Sequence, residues 1–315
     1  MEHDSTALGS DIPRDRKQAF ARALARFMVK ILGLNDSGLM ATEIAQAINP
    51  IFRVDTPNGP FVCRSGHGRL AWRARTFFTE EPDTIEWLDA LQSTDVFWDV
   101  GANVGLYSIY AAKFRKCKVY AFEPESQNYA ILIDNMSMND LNEGFNATCI
   151  ALNEAERFGK LTVPYITKGG AYNLFRSPDE QAQDVPQSVY AAQAFWAKDR
   201  VSQLTFGSSI DDLVFGHGFT PPSHIKIDVD GIEYMIIKGA KRTLESPQLK
   251  SVLIELNEKS EFDEEVPGIL ESFGFRLARK RSVWDSKPDK TRQFEMPSYN
   301  AIFVRDNPKR DEVAS

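Results

Sequence analysis

The segment Trp98-Asp99-Val100-Gly101-Ala102-Asn103-Val104-Gly105 constrains the fold more than any other part of this 315-residue chain. The apolar run Val96-Phe97-Trp98 ends on an acid and turns through two glycines. It then leads into Leu106–Phe114, where Tyr107, Ile109, Tyr110 and Ala111 offer a packing face. A buried strand, a glycine turn and a helix in that order form the junction of a doubly wound α/β sheet. Gly101 and Gly105 let the backbone turn sharply and approach a ligand closely. Downstream, Lys118–Phe122 reads as a second strand ending on Glu123. That is where an acid would accept hydrogen bonds from a ribose diol, so the turn is expected to hold a nucleotide-like cofactor.

Charge separates the cofactor classes. A dinucleotide site spaces its glycines G-x-G-x-x-G so that a pyrophosphate rests on the helix N-terminus, whereas here the loop is D-x-G-x-N-x-G. Asp99 would repel a pyrophosphate but attract the ammonium and sulfonium of S-adenosylmethionine, which is therefore the expected cofactor. Glu123 suits either ligand. Two competing readings are an NAD(P)-dependent oxidoreductase, which should carry the dinucleotide spacing, and a non-catalytic Rossmann-like binding protein, which should have lost Asp99, Gly101, Gly105 and Glu123.

Composition narrows the field further. A formal charge of −7 argues against a nucleic-acid partner. Cys63, Cys117 and Cys149 are scattered and lack histidines at metal-ligand spacing, which suits thiols in a reducing compartment. Asp4, Asp11 and Asp15 interrupt any secretory leader and no apolar run approaches a membrane span, so a cytoplasmic location is expected. Between Arg16 and Leu32, an apolar face with Phe20, Leu24, Phe27 and Ile31 accompanies Arg16, Lys17, Arg22, Arg26 and Lys30. Such a helix suits an anionic membrane surface, its own domain or a partner subunit. Thr42–Ile48 reads as a second helix, and Ile51–Val54 and Phe61–Cys63 as a hairpin around Pro57-Asn58-Gly59-Pro60.

The expected organisation is a helical and hairpin extension over 1–76, a core domain over 77–306 and a polar tail over 307–315. In the core, helices are expected at 83–91, 129–138, 210–213, 234–244 and 266–273. Strands are expected at 147–152, 160–163, 225–228, 252–256, 275–279 and 301–304. Residues 164–206, punctuated by Tyr165, Tyr172, Phe175, Phe195 and Trp196, form a partly helical insertion suited to substrate recognition.

A second constellation, Ile225-Lys226-Ile227-Asp228-Val229-Asp230-Gly231-Ile232-Glu233, places three carboxylates where a strand gives way to a helix. Extended spacing points Asp228 and Asp230 to one side, toward the crevice shared with Asp99 and Glu123. Asp230 is expected to cap the helix and Glu233 to complete the cap. Glu80 and Glu81 suit a helix N-terminus, and Glu81 is also a candidate for the cofactor's ammonium. The candidate general bases are Asp228, Glu233 and His67, in that order. A divalent cation on Asp228 with Asp230 or Glu255 is the less favoured alternative, because spacing shows no third ligand, and no metal site is assigned.

Together, D-V-G-A-N-V-G, A-F-E-P and K-I-D-V-D-G-I-E-Y-M-I-I-K-G followed by V-L-I-E-L resemble the FkbM family of S-adenosylmethionine-dependent methyltransferases, over roughly 77–304. The resemblance implies an α/β, class I (Rossmann-like) methyltransferase fold. This is a seven-stranded, mostly parallel sheet with an antiparallel last strand, here with the extension and an insertion before the fourth core strand. It implies O-methylation of a hydroxyl on a sugar, glycan or secondary metabolite. It also implies that Asp99, Gly101, Asn103 and Gly105 surround the methionine and ribose portions while Glu123 holds the ribose hydroxyls. Asp230 departs from the Glu more usual in the family.

Overall fold

The computed structural model describes residues 14–33, 38–48, 50–64, 68–163, 169–170, 173–176, 201–282 and 298–306. The chain divides into two compact units, Met1–Pro50 and Ile51–Ser315. The first contains helices α1 (Arg14–Ile31) and α2 (Gly38–Ile48). Among the described residues, no helix is long and apolar enough to cross a membrane.

The second unit opens with the expected antiparallel hairpin, β1 (Ile51–Val54) and β2 (Phe61–Arg64). Its turn is closed by the Thr56 hydroxyl donating to the Gly59 carbonyl at 2.6 Å. Helices α3 (Gly68–Thr76) and α4 (Pro82–Asp89) follow. Then come β3 (Val96–Val100), α5 (Leu106–Tyr110) continuing as one π turn over Ala111–Arg115, β4 (Lys118–Phe122), α6 (Ser126–Met138) and β5 (Phe145–Thr148). A small sheet is built from β6 (Ala151–Leu152), β7 (Arg157–Val163), β8 (Leu174–Arg176) and β9 (Val201–Ser208). The chain then returns through β10 (His224–Ile227), α7 (Glu233–Lys238), α8 (Lys241–Glu245), β11 (Ser251–Asn257), α9 (Glu261–Ser272), β12 (Phe275–Ser282) and β13 (Ser298–Arg305).

The main sheet has seven strands in the order β12-β13-β11-β10-β3-β4-β5. From β11 to β5 all neighbours are parallel, and β13 runs antiparallel to both β11 and β12. The strand order reverses between β3 and β10, so the crevice beyond their carboxyl ends is where such a sheet binds ligands. Both faces are covered. One cluster holds Trp98, Phe122, Ile227 and Phe303, and the other holds Phe97, Ile109, Tyr110 and Val119. This is why the central strands read as unbroken apolar runs. The hairpin and α3 belong to the second cluster through Phe61, Cys63, Leu70 and Ala74. Cys63 and Cys117 are buried there, and burial pushes both thiols up to about 12.

Three expectations about elements are corrected. The run 147–152 is two strands, because the chain leaves the main sheet after Thr148 and Ala151–Leu152 pairs parallel with β9. The segment expected as partly helical contains β8 and most of β9, strands of the small sheet, while 164–168, 171–172 and 177–200 lie outside the described residues. Gly159 and Gly207 make this sheet possible, since a Cβ at either would stand 2.6 Å from the Phe175 ring. The helix expected over 234–244 breaks into α7 and α8 at Gly239, where a Cβ would meet the Asn153 carbonyl oxygen at 2.5 Å.

Candidate active site

The glycine loop fits because β10 ends directly beneath it. Lys226 and Ile227 lie beside Asp99 and Val100 in the sheet. Gly101 has φ +80°, and a Cβ there would stand 1.9 Å from the Asp228 carbonyl oxygen, so no other residue passes this point. Asn103 also adopts the left-handed region, at φ +52°. Its side chain accepts from the Val104 N–H at 3.0 Å and donates to the Gly170 carbonyl at 2.7 Å. Glu123 lies under the loop, accepting from the Asn103 N–H at 2.8 Å and the Glu125 N–H at 2.9 Å. It is 4% exposed, and burial outweighs those bonds to push its carboxyl up to about 8. Helix α6 clamps the loop from behind. Buried Asn135 donates to the Val104 carbonyl at 2.8 Å and accepts from the Arg64 N–H of β2 at 2.7 Å.

Beyond the loop is an open cleft of about 640 Å³. Four carboxylates line it (Glu80, Glu81, Asp228, Asp230) against two cations, Arg73 and Lys226. The Lys226 ammonium, 1% exposed, donates to Asp228 at 2.8 Å and lies 5.2 Å from the centre of the Tyr107 ring. Burial pushes the Asp228 carboxyl up, but the charge and hydrogen bond of Lys226, with Arg73 behind it, hold it below the ordinary carboxylate range. Burial likewise works against the Lys226 charge, and Asp228, Asp99 and Glu81 together raise it above its ordinary value. Asp99 is 1% exposed and does not reach the cleft surface. One of its oxygens accepts from the Ser108 hydroxyl at 2.5 Å; the other has no hydrogen-bond partner among the described residues. Burial raises Asp99 in spite of the nearby Lys226.

Carboxylate oxygens of Glu81, Asp228 and Glu255 come within 4.8 Å of one another. Burial, and then Asp228 and Glu81, push Glu255 well above its usual range. Such a cluster relieves its repulsion by holding a proton, a metal cation or the positive group of a ligand. Glu81 also accepts from the Thr84 hydroxyl at 2.9 Å, so the helix start and the cleft share one side chain. On the other side of Gly101 lies a small apolar pocket walled by Val100, Phe122, Ile150, Leu152, Val229 and Ile232.

The structure brings Glu81, Gly101, Asn103, Asp228 and Asp230 to one cleft, with Gly105 heading α5 and Asp99 and Glu123 packed beneath. Glu233 is not part of it. The side chain is buried and accepts from the Val229 N–H at 3.1 Å, and burial together with Asp263 raises its carboxyl far above normal. Asp230 does not cap α7. The cap residue is Ile232, without a side-chain bond, and Asp230 sits at φ +66° on the cleft wall. His67 lies outside the described residues. Lys226, Arg73 and Tyr107 also line the cleft, outside the expected set of site residues. Only Lys226 left a signal, as a lysine inside an otherwise apolar central strand.

A family model described as the methyltransferase FkbM domain matches residues 99–277. Methyltransferase sdnD of Sordaria araneosa is 27% identical over 65% of this chain and 81% of its own length. Hexuronic acid methyltransferase AglP of Haloferax volcanii is 24% identical over 59% of this chain and 66% of its own. The 31-O-demethyl-FK506 methyltransferase FkbM of Streptomyces tacrolimicus is 22% identical over 71% and 89% respectively.

Proposed function

Because the chain belongs to the FkbM methyltransferase family, with S-adenosylmethionine as its cofactor, we propose that it methylates a hydroxyl oxygen of a sugar, glycan or secondary metabolite. The residues fit the cofactor. The cleft wall carries more acid than base, Asp99 keeps behind it a buried oxygen with no hydrogen-bond partner among the described residues, and the backbone at Gly101 leaves no Cβ between cleft and apolar pocket. Gly101, Asn103 and Gly105 would surround the methionine and ribose portions with Asp99 buried behind them, Glu81 would meet the ammonium, Glu123 the ribose hydroxyls, and the apolar pocket the purine. When bound, the cofactor supplies a methyl group on a sulfonium whose thioether leaves uncharged. A pyrophosphate facing Glu80, Glu81, Asp228 and Asp230 would meet like charge, which counts against a dinucleotide.

The observation that carries the mechanism is the Lys226–Asp228 pair at the switch point of the sheet. An alcohol is a weak nucleophile until its proton leaves, and Asp228 is a carboxylate at the cleft kept ionised by the ammonium beside it. Asp228 accepts the hydroxyl proton while the cleft holds the oxygen in line with the methyl carbon. Lys226 fixes the carboxylate's position through its hydrogen bond to it. The Glu81, Asp228 and Glu255 cluster favours a second version in which a divalent cation lowers the hydroxyl pKa. The metal-free version is preferred, because a cation on Asp228 would face the Lys226 ammonium at 2.8 Å from that carboxylate. Neutral sugars, uronic acids and polyhydroxylated metabolites are the acceptors to screen with labelled methyl donor. Label on a hydroxyl oxygen, undiminished after chelation, supports the proposal. Transfer only to amines or carbon would overturn O-methylation, and restoration only by magnesium or manganese would install the metal-assisted version.

A further inference from the structure

Helix α1 carries a row of exposed apolar side chains. Phe20, Leu24, Phe27 and Ile31 recur at intervals of four, three and four, which aligns them on one face, and Phe20, Phe27 and Ile31 are 69%, 58% and 63% exposed. Met28 is exposed beside them, and α2 adds exposed Leu39 and Met40. The same 18 residues contain six arginines and lysines (Arg14, Arg16, Lys17, Arg22, Arg26 and Lys30) and a single acid, Asp15. Arg26 and Lys30 are exposed. This cationic segment belongs to a chain of formal charge −7, so positive charge is concentrated on the element that also exposes aromatic and aliphatic side chains.

We propose that α1 is a docking surface for an anionic lipid bilayer, lying in the interface with its apolar face among the acyl chains and its arginines and lysines on the headgroups. Charge decides between a bilayer and a second copy of this chain. Two copies of α1 paired along the Phe20–Ile31 seam would bring basic flanks together with only Asp15 from each to offset them, whereas helix pairs normally set acids against bases there. Anionic headgroups supply the missing negative charge, and phenylalanine and leucine are side chains suited to the headgroup–acyl boundary. An enzyme held in this way would meet acceptors presented at a membrane surface.

Flotation of the full chain with vesicles tests this, using phosphatidylcholine containing about one-third phosphatidylglycerol against phosphatidylcholine alone. Binding to the anionic vesicles should exceed binding to the neutral ones by about ten-fold or more at low salt and should weaken as salt rises. The triple variant Arg22→Glu, Arg26→Glu, Lys30→Glu should abolish it. The pair Phe20→Ser, Phe27→Ser should weaken it at unchanged charge, with both variants keeping the wild-type melting temperature. Equal or absent binding to the two vesicle types overturns the proposal. So does a concentration-dependent dimer in sedimentation velocity that Phe27→Ser dissolves, since the face would then belong to a second copy.

Discussion

At the scale of single residues, Asp228 and Lys226 divide one task. The carboxylate is the group that can take a proton, and the ammonium 2.8 Å away keeps it available to do so. Replacing Asp228 by Asn preserves shape and removes the basic oxygen. Asp228→Asn should therefore lower single-turnover methyl transfer by about 10²–10⁴-fold while changing cofactor affinity far less. Near-normal transfer at saturating cofactor would remove Asp228 from the chemistry. Lys226→Met acts on the same group indirectly. With the ammonium gone, burial prevails and the Asp228 pKa rises, so the acid limb of the pH–rate profile should move to higher pH and Lys226→Arg should move it back. An unshifted limb in a folded Lys226→Met variant would make the lysine structural only.

At the scale of elements, the parts that could be read in the sequence are those whose environment is set by the sheet itself. β3, β4, β10 and β11 are covered on both faces, so their apolar runs and the acids at their ends were visible: Asp99 within β3, Glu123 after β4 and Asp228 after β10. Glycines marked the turns for the same reason, since Gly101 and Gly105 answer to backbone geometry. Features that depend on distant segments were not visible. Ala151–Leu152 changes sheets because β9 is there to receive it, and Gly159 and Gly207 admit Phe175 only once three strands have met. Arg73 reaches the cleft because α3 packs with the hairpin, and Glu81 completes the carboxylate cluster from the start of α4. Asn135 is a further case. In sequence it is one polar residue in a helix, yet it ties β2 to the cofactor loop through two backbone groups. Asn135→Ala leaves the Arg64 N–H and the Val104 carbonyl without that partner. It should destabilise the protein by roughly 1–3 kcal/mol, the cost of leaving the buried Val104 carbonyl unpaired, with a smaller addition from the half-buried Arg64 N–H. Urea unfolding measures this, and an unchanged midpoint would show that the clamp is dispensable.

At the scale of the whole molecule, a doubly wound sheet places an acid-lined cleft and an apolar pocket on either side of Gly101, in a chain of the FkbM methyltransferase family. Glu123 joins these levels, because it braces the Asn103 N–H and is the proposed acceptor for the ribose hydroxyls. Isothermal titration of the full chain with S-adenosylmethionine, its demethylated product and NAD⁺, repeated with Glu123→Ala, decides which cofactor this cleft holds. The prediction is one site per chain for the sulfonium cofactor and its product, none for the dinucleotide, and a loss of about ten-fold or more in affinity in the variant, as expected from losing the hydrogen bonds to two ribose hydroxyls. Binding of NAD⁺ with none of S-adenosylmethionine, or undiminished affinity in a folded Glu123→Ala protein, would contradict the assignment of this cleft.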